Sequence, residues 1–106
     1  MGAGFLSINI LQALMARTIL ITGATSGIGK ALAETYKDDK AVKLVLVARD
    51  EAKLRSLSMP RAKTYVCDLQ NADEVQKISA QIAAAHEVDV LVNNAGIGMP
   101  STIAEL

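Results

Sequence analysis

Cysteine is almost absent from this chain. Cys67 stands alone, so no internal disulfide can form, and a reducing, cytoplasmic setting is expected. Neither sign of charge prevails, since eleven basic residues face eleven acidic ones. That balance removes the usual electrostatic ground for holding nucleic acid or an anionic membrane. No apolar run reaches the about 20 residues a membrane-spanning helix needs. The nearest candidate, residues 1–14, is too short and contains Asn9 and Gln12. The same segment carries no charge and the first basic residue is Arg17, so the positive start of a signal peptide is missing. Leu6 stands where a myristoylation motif beginning at Gly2 requires Ser or Thr. There is no internal repeat and no low-complexity segment.

What remains is a short chain rich in core-forming residues. Its 106 residues, 51% of them hydrophobic, suffice for one small domain with little stability in reserve. Met15 lies just before an apolar run that reads as the first strand, so the domain is assigned to residues 15–106. Residues 1–14 then read as an upstream extension with no fixed role. The competing reading is an amphipathic docking helix, because Phe5, Leu6, Ile8, Ile10, Leu11 and Leu14 are many oily residues for a free tail.

From Arg17 onward two kinds of segment alternate. Short runs of Val, Ile and Leu at residues 18–22, 44–48 and 88–92, with a weaker one at 65–67, read as strands buried on both faces. Helical spacing falls between them. Ile28, Ala31, Leu32 and Thr35 share one face after the first strand. Asp50 is placed to cap a short helix with Leu54 and Leu57 inside and Glu51 and Arg55 paired outside. Asn71 and Glu74 form a candidate capping box ahead of Val75, Ile78, Ile82 and Ala85. Residues 101–106 read as the start of a fourth helix. Strand and helix in strict alternation predict an α/β fold, a doubly wound parallel sheet of Rossmann type with right-handed crossovers. On this reading the chain ends shortly after its fourth strand, leaving residues 88–92 as an edge with an unpaired flank.

The first strand runs into Gly23-Ala24-Thr25-Ser26-Gly27-Ile28-Gly29, and a helix follows. Gly23 permits a tight turn off the strand. Gly27 offers no side chain to block a diphosphate from the helix N-terminus, where unbonded N–H groups and the helix dipole favour an anion. Gly29 lets the helix pack closely on the sheet. Thr25 and Ser26 are placed to add hydroxyl donors.

Alone, a glycine-rich turn serves many folds. Here T-G-x-x-x-G-x-G at residues 22–29 is joined by Asp68 after the third strand and by Asn-Asn-Ala-Gly at residues 93–96. In that order, each at a strand end, the three features resemble the short-chain dehydrogenase/reductase family from Arg17 to about Gly98. The resemblance implies NAD(P) as cofactor and hydride transfer between its nicotinamide and a small carbonyl or alcohol substrate, in a parent enzyme that forms homo-oligomers. Asp68 would accept from the adenine amino group, with the Leu69 backbone beside the ring, although Asp68 also suits a simple turn or cap. Ile28 would pack beneath the nicotinamide. Asn93 would brace the sheet and approach the ribose, Ala95 and Gly96 would let the cofactor pass close to backbone, and Asn94 is read as structural.

The tip of the second strand bears on which cofactor is used. NAD-preferring enzymes usually carry an acid there for the ribose hydroxyls. This chain has Arg49, which suits the 2′-phosphate of NADP. Asp50 follows and is able either to face the ribose or to cap the next helix. NADP is therefore expected ahead of NAD.

The family's catalytic Ser, its Y-x-x-x-K pair and a helper Asn all follow the N-N-A-G strand and have no counterpart in these residues. Tyr36-Lys37-Asp38-Asp39-Lys40 matches Y-x-x-x-K in letters, but Tyr36 lies nine residues past Gly27, about 14 Å along the helix axis. The run is read as a solvated helix end. His86 near a helix end suits the dipole, and Cys67 on an apolar strand reads as a small buried hydrophobe. Two functions stay open: the nucleotide-binding part of an oxidoreductase, inactive by itself, or a stand-alone module that binds nucleotide or docks on a partner without turnover. The loops that choose substrate are expected downstream, as is any catalytic group.

Overall fold

Aliphatic runs without polar alternation form strands covered from both sides, and residues 44–48 of this chain are all buried. The computed structural model describes residues 17–94. In it β1 (Arg17–Thr22), α1 (Gly27–Tyr36), β2 (Val42–Ala48), α2 (Glu51–Ser56), β3 (Lys63–Val66), α3 (Ala72–Ala85) and β4 (Val90–Asn93) follow one another. Every pairing is parallel and the sheet order is β3-β2-β1-β4. The expected alternation and parallel sheet are therefore present. The extension at residues 1–14, Ala95, Gly96 and the helix start at residues 101–106 lie outside the described residues.

The sheet separates two apolar clusters. Ile21, Leu44, Leu46 and Ala48 meet Ala33 of α1 and Leu54 of α2 on one face. Val45, Val47 and Cys67 meet Ile82 of α3 on the other, with Val75 and Ile78 packed against them. Successive β2 residues thus serve opposite clusters, as the pleat requires.

Several local expectations need correction. The inner face of α1 is not the stripe through Ile28, Ala31 and Thr35. Gly29 and Ala33 are buried, Leu32 and Tyr36 pack beside them, and Ile28 is 70% exposed. The absence of a side chain at Gly29 draws that side of the helix against the turn, and rotation about the axis carries Ile28 outward. Tyr36 consequently packs on the core cluster, while residues 37–40 are exposed as expected of a solvated run. The fourth strand begins at Val90 rather than Val88. Ahead of it the Thr18 N–H donates to the Asp89 carboxylate at 2.8 Å, and the Asp89 N–H donates to the Thr18 carbonyl at 2.9 Å.

The helix starts follow the caps. Asp50 Oδ1 accepts from the Lys53 N–H at 3.1 Å, and Arg55 pairs with Glu51 at 3.4 Å on the exposed side of α2. Asn71 Oδ1 accepts from the Asp73 and Glu74 N–H groups, each at 3.1 Å. The reciprocal half of the capping box is absent. Glu74 Oε1 accepts from the Asp68 N–H instead, because the Asn71 N–H is already donated to the Asp68 carbonyl. No helix among the described residues is long and apolar enough to cross a membrane.

Candidate functional site

Parallel strands bring their carboxyl ends to one edge, and in such sheets ligands bind beyond that edge where strand order reverses. Here the order turns back at β1, which has β2 on one side and β4 on the other. A cleft of about 370 Å³ opens at this edge. Gly23, Thr25 and Ser26 after β1, Arg49 after β2, and Asp68 and Leu69 after β3 all line it. Six candidate residues separated by up to 46 positions thus meet at one opening. Lys53 and Gln70 line it too, and the sequence reading had not singled them out.

The glycine turn forms the wall on the β1 side. Gly23 and Gly27 have φ of 61° and 55°, a region costly for side-chain-bearing residues. A Cβ at Gly27 would meet nothing within 4 Å, so its surroundings are open space. Ser26 is the N-cap of α1, yet its side chain makes no capping bond and the first turn holds no acidic residue. The unbonded N–H groups of a helix start therefore face neither a side-chain cap nor a carboxylate of their own first turn. Such a terminus suits an anion.

Behind the turn a polar lattice ties β4 to β1. The Thr22 hydroxyl donates to Asn93 Oδ1 at 2.9 Å and accepts from the Asn94 N–H at 3.0 Å. Asn94 Nδ2 donates to the Gly23 and Ser26 carbonyls, both at 3.1 Å. Asn94 is structural, as expected, and its structural role is to hold the turn. A Cβ on Gly29 would lie 2.6 Å from Asn94 Nδ2 and 2.7 Å from the Gly23 carbonyl oxygen. Close packing at Gly29 is thus against the turn and Asn94, more than against the sheet. Thr22 is the residue whose job the sequence reading left blank, although its place at the head of the glycine motif was the available signal.

On the β3 side Asp68 Oδ1 accepts from the Gln70 N–H at 3.0 Å, which is the turn role. Asp68 also borders the cleft. Cys67 is 2% exposed. Burial first, then the Glu74 and Asp68 carboxylates, push its thiol above the ordinary range, which leaves it in the unreactive protonated form. His86 closes α3, and its Nε2 lies 3.0 Å from the Tyr65 hydroxyl, away from the cleft. Gly27, Ile28, Gly29 and Asn93 do not line the cleft. No group of three metal-ligating side chains gathers among the described residues.

Comparison with known proteins gives the same architecture. The profile of a family described as short chain dehydrogenase matches residues 17–106. An uncharacterized oxidoreductase of Staphylococcus saprophyticus is 32% identical over 97 residues, covering 84% of this chain and 41% of its own length. The NADPH complex of a short chain dehydrogenase from Escherichia coli superimposes with a TM-score of 0.66 at 30% identity, over 81% of this chain and 40% of that one. The NADH complex of a 3-ketoacyl-(acyl-carrier-protein) reductase from Brucella melitensis gives 0.65 at 34% identity, over 80% and 36%. Similar structures therefore hold either nicotinamide nucleotide. The chain spans 41% and 32% of the length of the first curated relatives it matches. With the family profile covering residues 17–106, the chain belongs to the short chain dehydrogenase family.

Proposed function

We propose that this chain supplies the cofactor-binding part of an oxidoreductase that uses NADP(H) ahead of NAD(H) on a small carbonyl or alcohol substrate. The observation carrying the reading is the cleft shared by the ends of β1, β2 and β3, with the glycine turn on one wall and Arg49 on another. In this proposal the α1 start takes the diphosphate, with Gly27 leaving room and Thr25 and Ser26 adding hydroxyl donors. Asp68 and Leu69 border the adenine, and Arg49 meets the 2′-phosphate. Gly29 and Asn93 act behind the turn, Ile28 beneath the nicotinamide, and Ala95 and Gly96 along the cofactor's path. The bound nucleotide would give or take a hydride.

Asp50 caps α2 through Oδ1 and also lines the cleft, so the NADP preference proposed here rests on Arg49. The Y-x-x-x-K run contributes no chemistry in this reading. Tyr36 ends α1 at the side remote from Gly27 and packs on the core. The polypeptide of residues 1–106 is therefore proposed to bind nucleotide without reducing carbonyls. A stand-alone binding module shares the same geometry and the same expected inactivity. A reading frame that continues past Leu106 into Y-x-x-x-K separates the two.

The test is a fluorescence titration of the chain with NADPH and NADH, followed by a carbonyl substrate panel with absorbance at the nicotinamide band. NADPH is expected to bind tighter, and Arg49→Ala to remove about 1.5 kcal/mol of that preference, the lower end for a charged hydrogen bond because Arg49 is exposed. Equal affinities in the unmutated chain, or a preference untouched by Arg49→Ala, would refute the assignment. Steady NADPH consumption would refute the inactivity, and its loss in Tyr36→Phe would make the Tyr36 run catalytic.

A further inference from the structure

We infer that residues 1–14 dock in a second groove, on the α3 face of the sheet, where they cover the part of β1 and β4 that α3 leaves open. A parallel sheet is ordinarily covered on both faces. Leu91, Leu20 and Val45 form one row across β4, β1 and β2. Val45 is 1% exposed in the cluster under α3, whereas Leu20 and Leu91 of the same row are only half-buried. Over them opens a groove of about 310 Å³. Leu20 and Leu91 floor it, Ser79, Ile82 and Ala83 of α3 wall it, and His86 and Val88 stand at one end. No Asp, Glu, Lys or Arg lines it.

Chemistry, position and size select residues 1–14 as the occupant. The segment has no charged residue, and Leu6, Ile10 and Leu14 are spaced to share one face of a helix. Left in water, so many apolar side chains would favour association. β1 starts at Arg17, and the Thr18 N–H is bonded to the carboxylate of Asp89, the neighbour of Val88. The segment therefore joins the sheet at the Val88 end of the groove. The chain after Asn94 departs from the opposite, cleft edge, where Asn94 holds the Gly23 carbonyl, and it includes Glu105. As a helix, residues 1–14 would span about 21 Å, against about 10 Å from Ser79 to His86 along α3. The small side chains of Ser79 and Ala83 permit a second helix to approach closely. Attachment to β1 makes docking intramolecular, at high effective concentration. None of this depends on the nucleotide reading.

Limited chymotrypsin digestion of the full chain, followed by mass spectrometry, tests the docking. The bonds after Phe5, Leu6, Leu11 and Leu14 are cut only when the segment is free, so their cleavage rate follows the free population. Ala83→Glu sets an unpaired carboxylate against the docked segment and is expected to raise that rate about ten-fold. Ala83 is exposed on α3 and glutamate is a good helix former, so the circular dichroism spectrum should not change. Ser79→Glu, at the same wall of the groove, should act alike. Ala84→Glu, exposed on α3 but outside the groove, should leave the rate within about two-fold. Cleavage in the unmutated chain as fast as in Ala83→Glu, or equal acceleration by all three variants, would overturn the docking. No acceleration by Ala83→Glu and Ser79→Glu would place the segment elsewhere and overturn the groove assignment. Protection that vanishes when the chain is diluted would give the groove to a second copy and overturn it too.

Discussion

Leu46→Ala is expected to cost about 3–4 kcal/mol of folding stability. Leu46 is fully buried on β2, opposite Ile21 of β1 and Thr64 of β3. Its cluster joins the sheet to both α1 and α2. Truncating a leucine in such a place loses its transfer free energy and leaves a cavity that neighbours on a rigid sheet cannot fill. For a domain whose whole stability is about 5–15 kcal/mol, that loss is large enough to populate unfolded chain at moderate urea. The comparison variant is Val66→Ala on β3, where the side chain is 42% exposed and the expected cost is below about 1 kcal/mol. Urea unfolding followed by circular dichroism decides the matter. Equal midpoints for the two variants would mean that the β2 core does not carry the fold.

Gly29→Ala is the second large effect, and it reaches the site itself. The new methyl carbon would sit 2.6 Å from Asn94 Nδ2 and 2.7 Å from the Gly23 carbonyl oxygen. Asn94 is able to swing aside, at the loss of its bonds to the Gly23 and Ser26 carbonyls. The Gly23 carbonyl is backbone and yields only if the turn moves. Overpacking of this kind costs about 3 kcal/mol, against which alanine's better helix propensity returns about 1 kcal/mol. The net expectation is a loss of about 2 kcal/mol together with weakened nucleotide binding. Gly27→Ala separates sterics from backbone strain. Its Cβ would meet nothing, but φ is 55°, so about 1–2 kcal/mol of left-handed strain is its expected cost. Combining Gly29→Ala with Asn94→Ala should recover only part of the loss, because the backbone contact remains. Full recovery would show that Asn94 alone sets the limit, and a Gly29→Ala chain as stable as the original would show that the turn is compliant.

Strand identities, the parallel sheet and the motif order were legible in the residues themselves. Apolar runs bounded by glycine, Asp or Asn at their ends have few physical outcomes, and a buried all-aliphatic β2 admits helices on both faces. The caps at Asp50 and Asn71 were readable for the same local reason: a side-chain oxygen next to a helix start has an N–H within reach. Six of the cleft's lining residues were legible as strand-end positions. What the residue pattern could not show was rotation and convergence. The helical face through Ile28 had the right spacing, but spacing does not know that a missing side chain at Gly29 draws the opposite side inward. Neither Asn94 under the turn nor Lys53 beside Arg49 could be found from local sequence. Asn94 lies 71 residues from the Gly23 carbonyl it holds, and Lys53 lines the cleft from α2 beside Arg49. Local chemistry determined the elements and the strand-end motif. Tertiary packing decided which side chains those elements bring to one opening, because close approach depends on the sum of all contacts at once and on no single stretch of chain.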